Sequence, residues 1–208
     1  MDVYEAIYTR RDVRHFRADA IDDDVLRRIL EAAHHAGSVG FMQPWNFIVI
    51  HDLGTRRQVK ALFEQENARA AENYSGPRRE LYDSLKLEGI LESPLNLCIT
   101  CDRSRGDPVL GRNTIIDTDL YSTCCAVQNL WLAARAEGVG VGWLSILRPH
   151  VLKDLLRLPD TVVPVAYLCV GYPQDVRERP MLEEVGWRKR LPLDELVFYE
   201  CWGQRQKA

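Results

Sequence analysis

Three arginines and one carboxylate share five consecutive positions near the start of the chain, Arg10-Arg11-Asp12-Val13-Arg14. A guanidinium presents a planar fork of N–H donors that suits a phosphate, and as a fixed cation it also stabilises an anionic ring system. Arg10 and Arg14 are four apart and share a face if the helix before them continues. The same residues also read as a solvated basic patch, the commoner fate of arginine. Positive neighbours favour the ionised form of Asp12. It is either a local ion-pair or turn residue, or a carboxylate that exchanges protons with a bound substrate.

Further along lies Ser38-Val39-Gly40-Phe41-Met42-Gln43-Pro44-Trp45-Asn46. Pro44 forces an extended approach. Gln43 and Asn46 offer paired donors and acceptors of the kind a heterocycle edge requires, and Ser38 and Gly40 permit close backbone approach. A turn made of small and polar residues has the same composition. Gly138-x-Gly140-x-Gly142 is not a dinucleotide fingerprint, because its spacing differs and its glycines follow a helix and lead into a strand. These glycines are expected to let backbone and Ser145 approach a flat ligand, or to end the helix in a tight turn. Trp187-Arg188-Lys189-Arg190 is either a second phosphate clamp or a solvated charge run.

Other chemistries find little support. Cys98-x-x-Cys101 lies in an apolar run, where strand alternation points the two sulfurs to opposite faces, so structural thiols are expected rather than a metal or redox centre. His34 and His35 are adjacent on a helix and face different directions. No nucleophile carries the local signature of a catalytic triad.

The elements that must position these residues follow from periodicity. Residues 2–9 are expected to be helical. A second helix starts near Asp22, where Asp22, Asp23 and Asp24 complement its positive end, and Gly37 stops it. Strands are expected over 47–50, 95–100, 162–170 and from 138–142 onward to Ile146. Helices are expected over 55–71, 119–137 and 149–156. The helix 119–137 is apolar beyond a narrow stripe, which places it in the core or at a subunit interface. Residues 72–92, highly charged, read as a lid or an insertion. Residues 198–208 form a C-terminal extension that carries Phe198, Tyr199 and Trp202, an unusual load for a free end. Strands alternate with helices, so the class is α/β or α+β, and one domain over 1–208 is expected.

Composition bounds the function. The 208 residues hold 27 Lys and Arg against 30 Asp and Glu, a formal charge of −3, and 46% are apolar. That suffices for a sizeable core and excludes wholesale disorder. Mild acidity argues against a dedicated nucleic-acid or anionic-membrane binder. No apolar run approaches the ~20 residues of a membrane helix, and no signal peptide is visible, so a cytoplasmic protein is expected.

Taken together, the Arg-rich motif, the small-residue turn ending in Gln43-Pro44-Trp45, the Gly-rich turn Gly138 to Ser145 and the ending Leu191-Pro192-Leu193-Asp194-Glu195-Leu196-Val197 resemble the nitroreductase-like flavoprotein family. Members that act as reductases often carry Ser or Thr where this chain has Asp12, and Asn where it has Phe41. Asp12 paired with Ser145, together with residues 38–47, 84–90 and 119–145, is closer to the branch formed by the aerobic 5,6-dimethylbenzimidazole synthases.

The resemblance implies an α+β three-layer sandwich, a central mixed sheet flanked by helices. It also implies a homodimer with its sites at the interface and no metal. FMN would be consumed as a reduced substrate with dioxygen, giving the lower ligand of vitamin B12. NAD(P)H would enter indirectly, through a separate flavin reductase. Asp12 and Ser145 would be catalytic. Arg10, Arg11, Val13, Arg14, Ser38, Met42, Gln43, Asn46, Leu87, Arg188 and Arg190 would join them in binding FMN. The rival readings are an NAD(P)H-dependent nitroreductase or flavin reductase that retains FMN, and a non-catalytic flavin-binding protein.

Overall fold

The computed structural model describes residues 1–106 and 108–205, so the last three residues of the C-terminal extension lie outside the described residues. The chain forms two compact units, Met1–Val176 and Arg177–Ala208.

The first unit is built on four strands, β1 (Trp45–Ile50), β2 (Leu95–Asp102), β3 (Gly140–Leu144) and β4 (Val162–Gly171), in the order β1-β2-β4-β3. Every neighbouring pair is antiparallel. The sheet is mixed only through one parallel bridge, Asp12 to Val141, which adds the arginine motif to the free edge of β3. Alternation along β2 sends Leu95, Leu97 and Ile99 to one face and Cys98 to the other. The first face is covered by α2 (Asp23–His34) and α5 (Thr118–Ala136), which contribute Leu26, Ile29, Val127 and Leu130. The second is covered by α3 (Leu53–Ala71) and α6 (Pro149–Leu155), through Val59, Phe63 and Leu152. The result is the expected α+β three-layer sandwich.

Local chemistry sets the element ends. Asp2 caps α1 (Val3–Thr9) by accepting from the Glu5 N–H at 2.8 Å. Asp52 caps α3 through the Thr55 N–H at 2.6 Å. On α5, residues 118, 119, 122, 123, 126, 127, 130 and 134 are buried, while Tyr121, Cys124 and Cys125 stay exposed. Helix α5 ends at Gly138 with φ +74°; the Val139 N–H reaches back to the Ala134 carbonyl at 2.8 Å and the Gly138 N–H to Arg135 at 3.2 Å, a Schellman closure.

The other two glycines of that run do different work. A Cβ on Gly142 would lie 2.1 Å from the Val13 carbonyl oxygen, and one on Gly140 would lie 2.8 Å from a Val13 methyl. The space they open is filled by the chain's own arginine motif, not left for a flat ligand as the spacing suggests. Strand β3 also ends one residue before Ser145, earlier than periodicity predicts.

Residues 72–92 contain α4 (Gly76–Ser84), held to α3 by a hydrogen bond from the Tyr82 hydroxyl to Asn67 Oδ1 at 2.6 Å. The rest of the segment descends into the core, where Ile90 is fully buried.

Among the described residues the second unit holds one short helix, α7 (Met181–Glu184), and a 3-10 turn over Leu193–Glu195. Within its tail the Phe198 and Trp202 rings lie 4.6 Å apart, and Arg205 stands 4.4 Å over Phe198.

Two alanine substitutions separate the roles of the glycines. Gly138→Ala meets open space and only the left-handed backbone, a cost of about 1 kcal/mol. Gly142→Ala drives a methyl into backbone that cannot swing aside and should lose far more. Urea unfolding midpoints measure both, and equal losses would refute the packing role given to Gly142.

Candidate active site

The arginine motif leaves α1 as extended chain. The Val13 N–H donates to the Val141 carbonyl at 3.0 Å, and the Arg17 N–H to the Tyr172 carbonyl at 2.9 Å, so the segment lies along the sheet edge. This aims Asp12 at β3. Its Oδ1 accepts the Trp143 N–H at 2.8 Å, and its Oδ2 is ion-paired with Arg14 Nη2. The same Arg14 nitrogen donates to the Trp143 carbonyl at 2.7 Å. Arg14 thus clasps both the carboxylate and the strand. Its side chain is 11% exposed, against 38% for Asp12, so the carboxylate sits at the rim and the cation behind it. Arg14 Nε and Nη1 are buried without a hydrogen-bond partner.

Asp12 is subject to opposed forces. Loss of solvent around it raises its pKa above the ordinary carboxyl value; Arg14, the Trp143 N–H and Arg10 pull the other way but do not cancel the rise. A native state that holds the proton more tightly than the unfolded chain gains stability below the unfolded pKa. That contribution is lost as pH rises through the folded one.

Ser145 follows Trp143 by two residues, a rise of roughly 7 Å along extended chain, and is exposed. Ser145 thus lies just past the end of the strand whose edge carries the Asp12 bridge. Ser145 borders a cavity of about 250 Å3 whose other walls include Trp143, Leu147, Pro149, Pro164 and Tyr167. The walls are largely apolar and aromatic and include the Ser145 hydroxyl, a lining suited to a flat conjugated ring.

The other expected residues divide. Arg11 donates to the carbonyls of Tyr8 and Arg10, both at 2.8 Å, and so closes the end of α1. The Arg10 guanidinium stands 4.4 Å over the Trp131 ring. Val13 packs in the second core cluster, as does Leu87. Ser38 Oγ accepts the Gln43 N–H at 3.2 Å and shapes the turn. Met42 is buried. The Asn46 amide is turned inward: its Oδ1 takes Arg105 at 2.5 Å, and its Nδ2 donates to Thr100 at 3.3 Å. Each end of the amide has one partner within the protein. Arg188 and Arg190 belong to the second unit, where they line a groove with Leu182, Leu191 and Leu196.

Sequence reasoning missed Arg105, which also donates to the Gln43 and Trp45 carbonyls at 2.7 and 2.9 Å and so holds the whole turn. No local pattern links residues some sixty positions apart. It likewise missed Asp119, fully buried and paired with Arg103 at 3.1 Å and Arg112 at 2.7 Å. The cysteines are free thiols, with Cys98 and Cys169 buried. His34 Nδ1 accepts the Trp45 indole N–H at 3.1 Å.

The chain belongs to the nitroreductase family, whose model matches residues 7–172. It is 43% identical over 184 residues to 5,6-dimethylbenzimidazole synthase of Rhodospirillum rubrum, covering 88% of this chain and 87% of that one. It is 40% identical to the enzyme of the same name from Rhodobacter capsulatus, covering 91% and 92%. Among solved structures, iodotyrosine deiodinase bound to FMN and 3-iodo-L-tyrosine shares the fold at a TM-score of 0.76, with 22% identity, over 97% of this chain and 100% of that one.

The electrostatics of Asp12 can be read directly. Its side-chain carboxyl 13C shift should titrate with a midpoint above the ordinary ~3.9. Arg14→Gln should push the midpoint higher still by removing the opposing cation. A midpoint at or below the ordinary value would overturn the desolvated placement of Asp12.

Proposed function

We propose that this chain is a 5,6-dimethylbenzimidazole synthase that fragments reduced FMN with dioxygen. The observation that carries the reading is the Asp12 carboxylate, fixed at the sheet edge by Arg14 and the Trp143 N–H, two residues from Ser145. The likeness at 40–43% identity over most of the chain supports it.

The residues fit such a substrate. The cavity beside Ser145 has apolar, aromatic walls, and a carboxylate of raised proton affinity stands at the neighbouring edge. Bound reduced FMN would supply both the electrons that dioxygen takes and the carbon skeleton that becomes dimethylbenzimidazole, leaving a four-carbon sugar phosphate and the oxidised pyrimidine part of the ring as a separate fragment. Asp12 accepts and returns protons at its Oδ atoms, and its raised pKa brings it nearer the range where both directions are useful. Ser145 orients the reacting chain through its hydroxyl. Arg14 keeps Asp12 in place and sets its charge. The apolar walls exclude water, without which a bound ring would simply be reoxidised.

The phosphate is assigned to the arginine motif of the first unit, at Arg10. The working form is a homodimer, and FMN arrives reduced from a separate NAD(P)H-dependent flavin reductase. Residues 85–90 cover the site. The protein works in the cytoplasm.

The test is direct. Protein is mixed with chemically reduced FMN, air is admitted, and dimethylbenzimidazole is sought by mass spectrometry. Wild type should form it. Asp12→Asn and Ser145→Gly should lose at least about 100-fold in rate while still binding FMN. If wild type only returns FMN intact, the synthase reading fails. Sustained NAD(P)H oxidation with a nitroaromatic would then identify a reductase.

A further inference from the structure

The face of the sheet covered by α3 carries a buried polar network that the chemistry above does not use. Arg56, in the first turn of α3, is 3% exposed. Its Nε and Nη2 donate to the Ile90 carbonyl at 3.0 and 2.6 Å, its Nη1 to the Pro94 carbonyl at 3.3 Å, and its Nη2 also to the Ser93 carbonyl. Among the described residues its partners are carbonyls only, with no carboxylate. Asn96, fully buried on β2, donates to the same Ile90 carbonyl at 3.2 Å and to Ser93 Oγ at 2.8 Å. Its Oδ1 accepts the Tyr167 hydroxyl at 2.9 Å, and Tyr167 lines the cavity beside Ser145.

A buried guanidinium without a counter-charge is costly, and a methionine or leucine would fill the volume at lower cost. What the cation adds is a fork of donors converging on the carbonyls of one turn, residues 90–94. That turn is thereby held in a single arrangement, and the residue before it is pressed against the arginine motif. A Cβ on Gly89 would lie 2.6 Å from the Phe16 ring and 3.0 Å from the Arg14 carbonyl oxygen. Glu88 completes the hold, accepting the Ile90 N–H at 2.8 Å and pairing with Lys60 at 3.3 Å.

We infer that Arg56 is a positioning residue for the active site: through the turn 90–94 it fixes Gly89 against Arg14 and Phe16, and so holds Asp12 in its place between Arg14 and the Trp143 N–H. The consequence for product rests on the synthase reading; the consequence for Asp12 does not.

The experiment uses the full chain. Arg56→Met keeps the volume and removes the donors; Arg56→Lys keeps a cation with fewer donors. Two quantities are read: the share of bound reduced FMN that becomes dimethylbenzimidazole rather than intact oxidised FMN after air is admitted, and the 13C titration midpoint of Asp12 in flavin-free protein. In Arg56→Met that unfolds cooperatively, the product share should fall about tenfold or more, as small misplacements of reacting groups do. The Asp12 midpoint should move down toward the ordinary value as water enters. Arg56→Lys should recover part of both. A folded Arg56→Met with both quantities unchanged overturns the inference, because a purely structural role lowers stability without moving either.

If Arg56→Met does not fold, Tyr167→Phe decides on the same two readouts. It removes one hydroxyl from the network and should shift both in the same direction; no shift overturns the inference. If wild type forms no dimethylbenzimidazole, the synthase reading fails while the Asp12 titration still settles the role of Arg56.

Discussion

The site depends on how closely one extended segment approaches the sheet. Residues 12–14 lie against β3 at a distance that no side chain on Gly142 would allow, since a Cβ there would stand 2.1 Å from the Val13 carbonyl oxygen. From that approach follow the Val13–Val141 hydrogen bond, the capture of the Trp143 N–H by Asp12, and the clasp of Arg14 on the Trp143 carbonyl. The Schellman closure at Gly138 contributes by turning the chain out of α5 and directly into β3, so that Gly140 and Gly142 face the segment in register. A shift of one residue would present Val141 or Trp143 to Val13 and exclude the arginine motif from the edge.

Three arginines that look alike in the sequence end up in three environments. Arg11 satisfies carbonyls at the end of α1, Arg10 rests on the Trp131 ring, and Arg14 pairs with Asp12 from behind. The difference is geometric: the helix stops at Thr9, so spacing by four no longer places Arg10 and Arg14 on a common face. Only the cation that is itself mostly buried can oppose the desolvation of a neighbouring carboxylate with little screening. Even so the balance leaves Asp12 with raised proton affinity, in keeping with the proton-transfer role proposed for it.

Much of this was legible in the residues. Four strands and five helices lie close to where periodicity and end signals put them, while β3 stops short of Ser145 and α4 and α7 were not expected. Asp12 and Ser145 stood out as a pair through the family likeness; Asp12 bridges to β3, and Ser145 follows that strand's last residue. What was not legible depended on contacts distant in the chain. Asn46 looks like a donor–acceptor pair free for a ligand, yet its oxygen already accepts from Arg105. The Gly-rich run looks like room for a ligand, yet Val13 fills it. In both cases composition reports a capacity, and only the tertiary neighbour decides who uses it. The charged stretch 72–92 is a further case: its charge suggests an exposed cover throughout, but Ile90 and the carbonyls of 90–94 are drawn into the core by Arg56 and Asn96, residues whose polarity gives no hint of burial.

The same desolvation that tunes Asp12 silences the thiols nearby. Gly89 donates its N–H toward Cys169, beneath the arginine motif, and Cys98 faces the same core cluster. Burial pushes both thiols up to about 12. At neutral pH that leaves on the order of one in 10^5 molecules with a thiolate at either position, and the thiolate is the form that attacks or is oxidised. The proposed chemistry with reduced flavin and dioxygen can therefore proceed beside sulfur in the supporting core without diverting oxidising equivalents into it. The apolar surroundings that make Cys98 and Cys169 inert also make the Arg56 network expensive, so the polar groups retained on this face are those with a carbonyl or an amide to hold. Stability alone accounts for apolar residues at these positions; a buried cation that grips the turn beside Arg14 is accounted for by the need to keep one carboxylate at one place on the sheet edge.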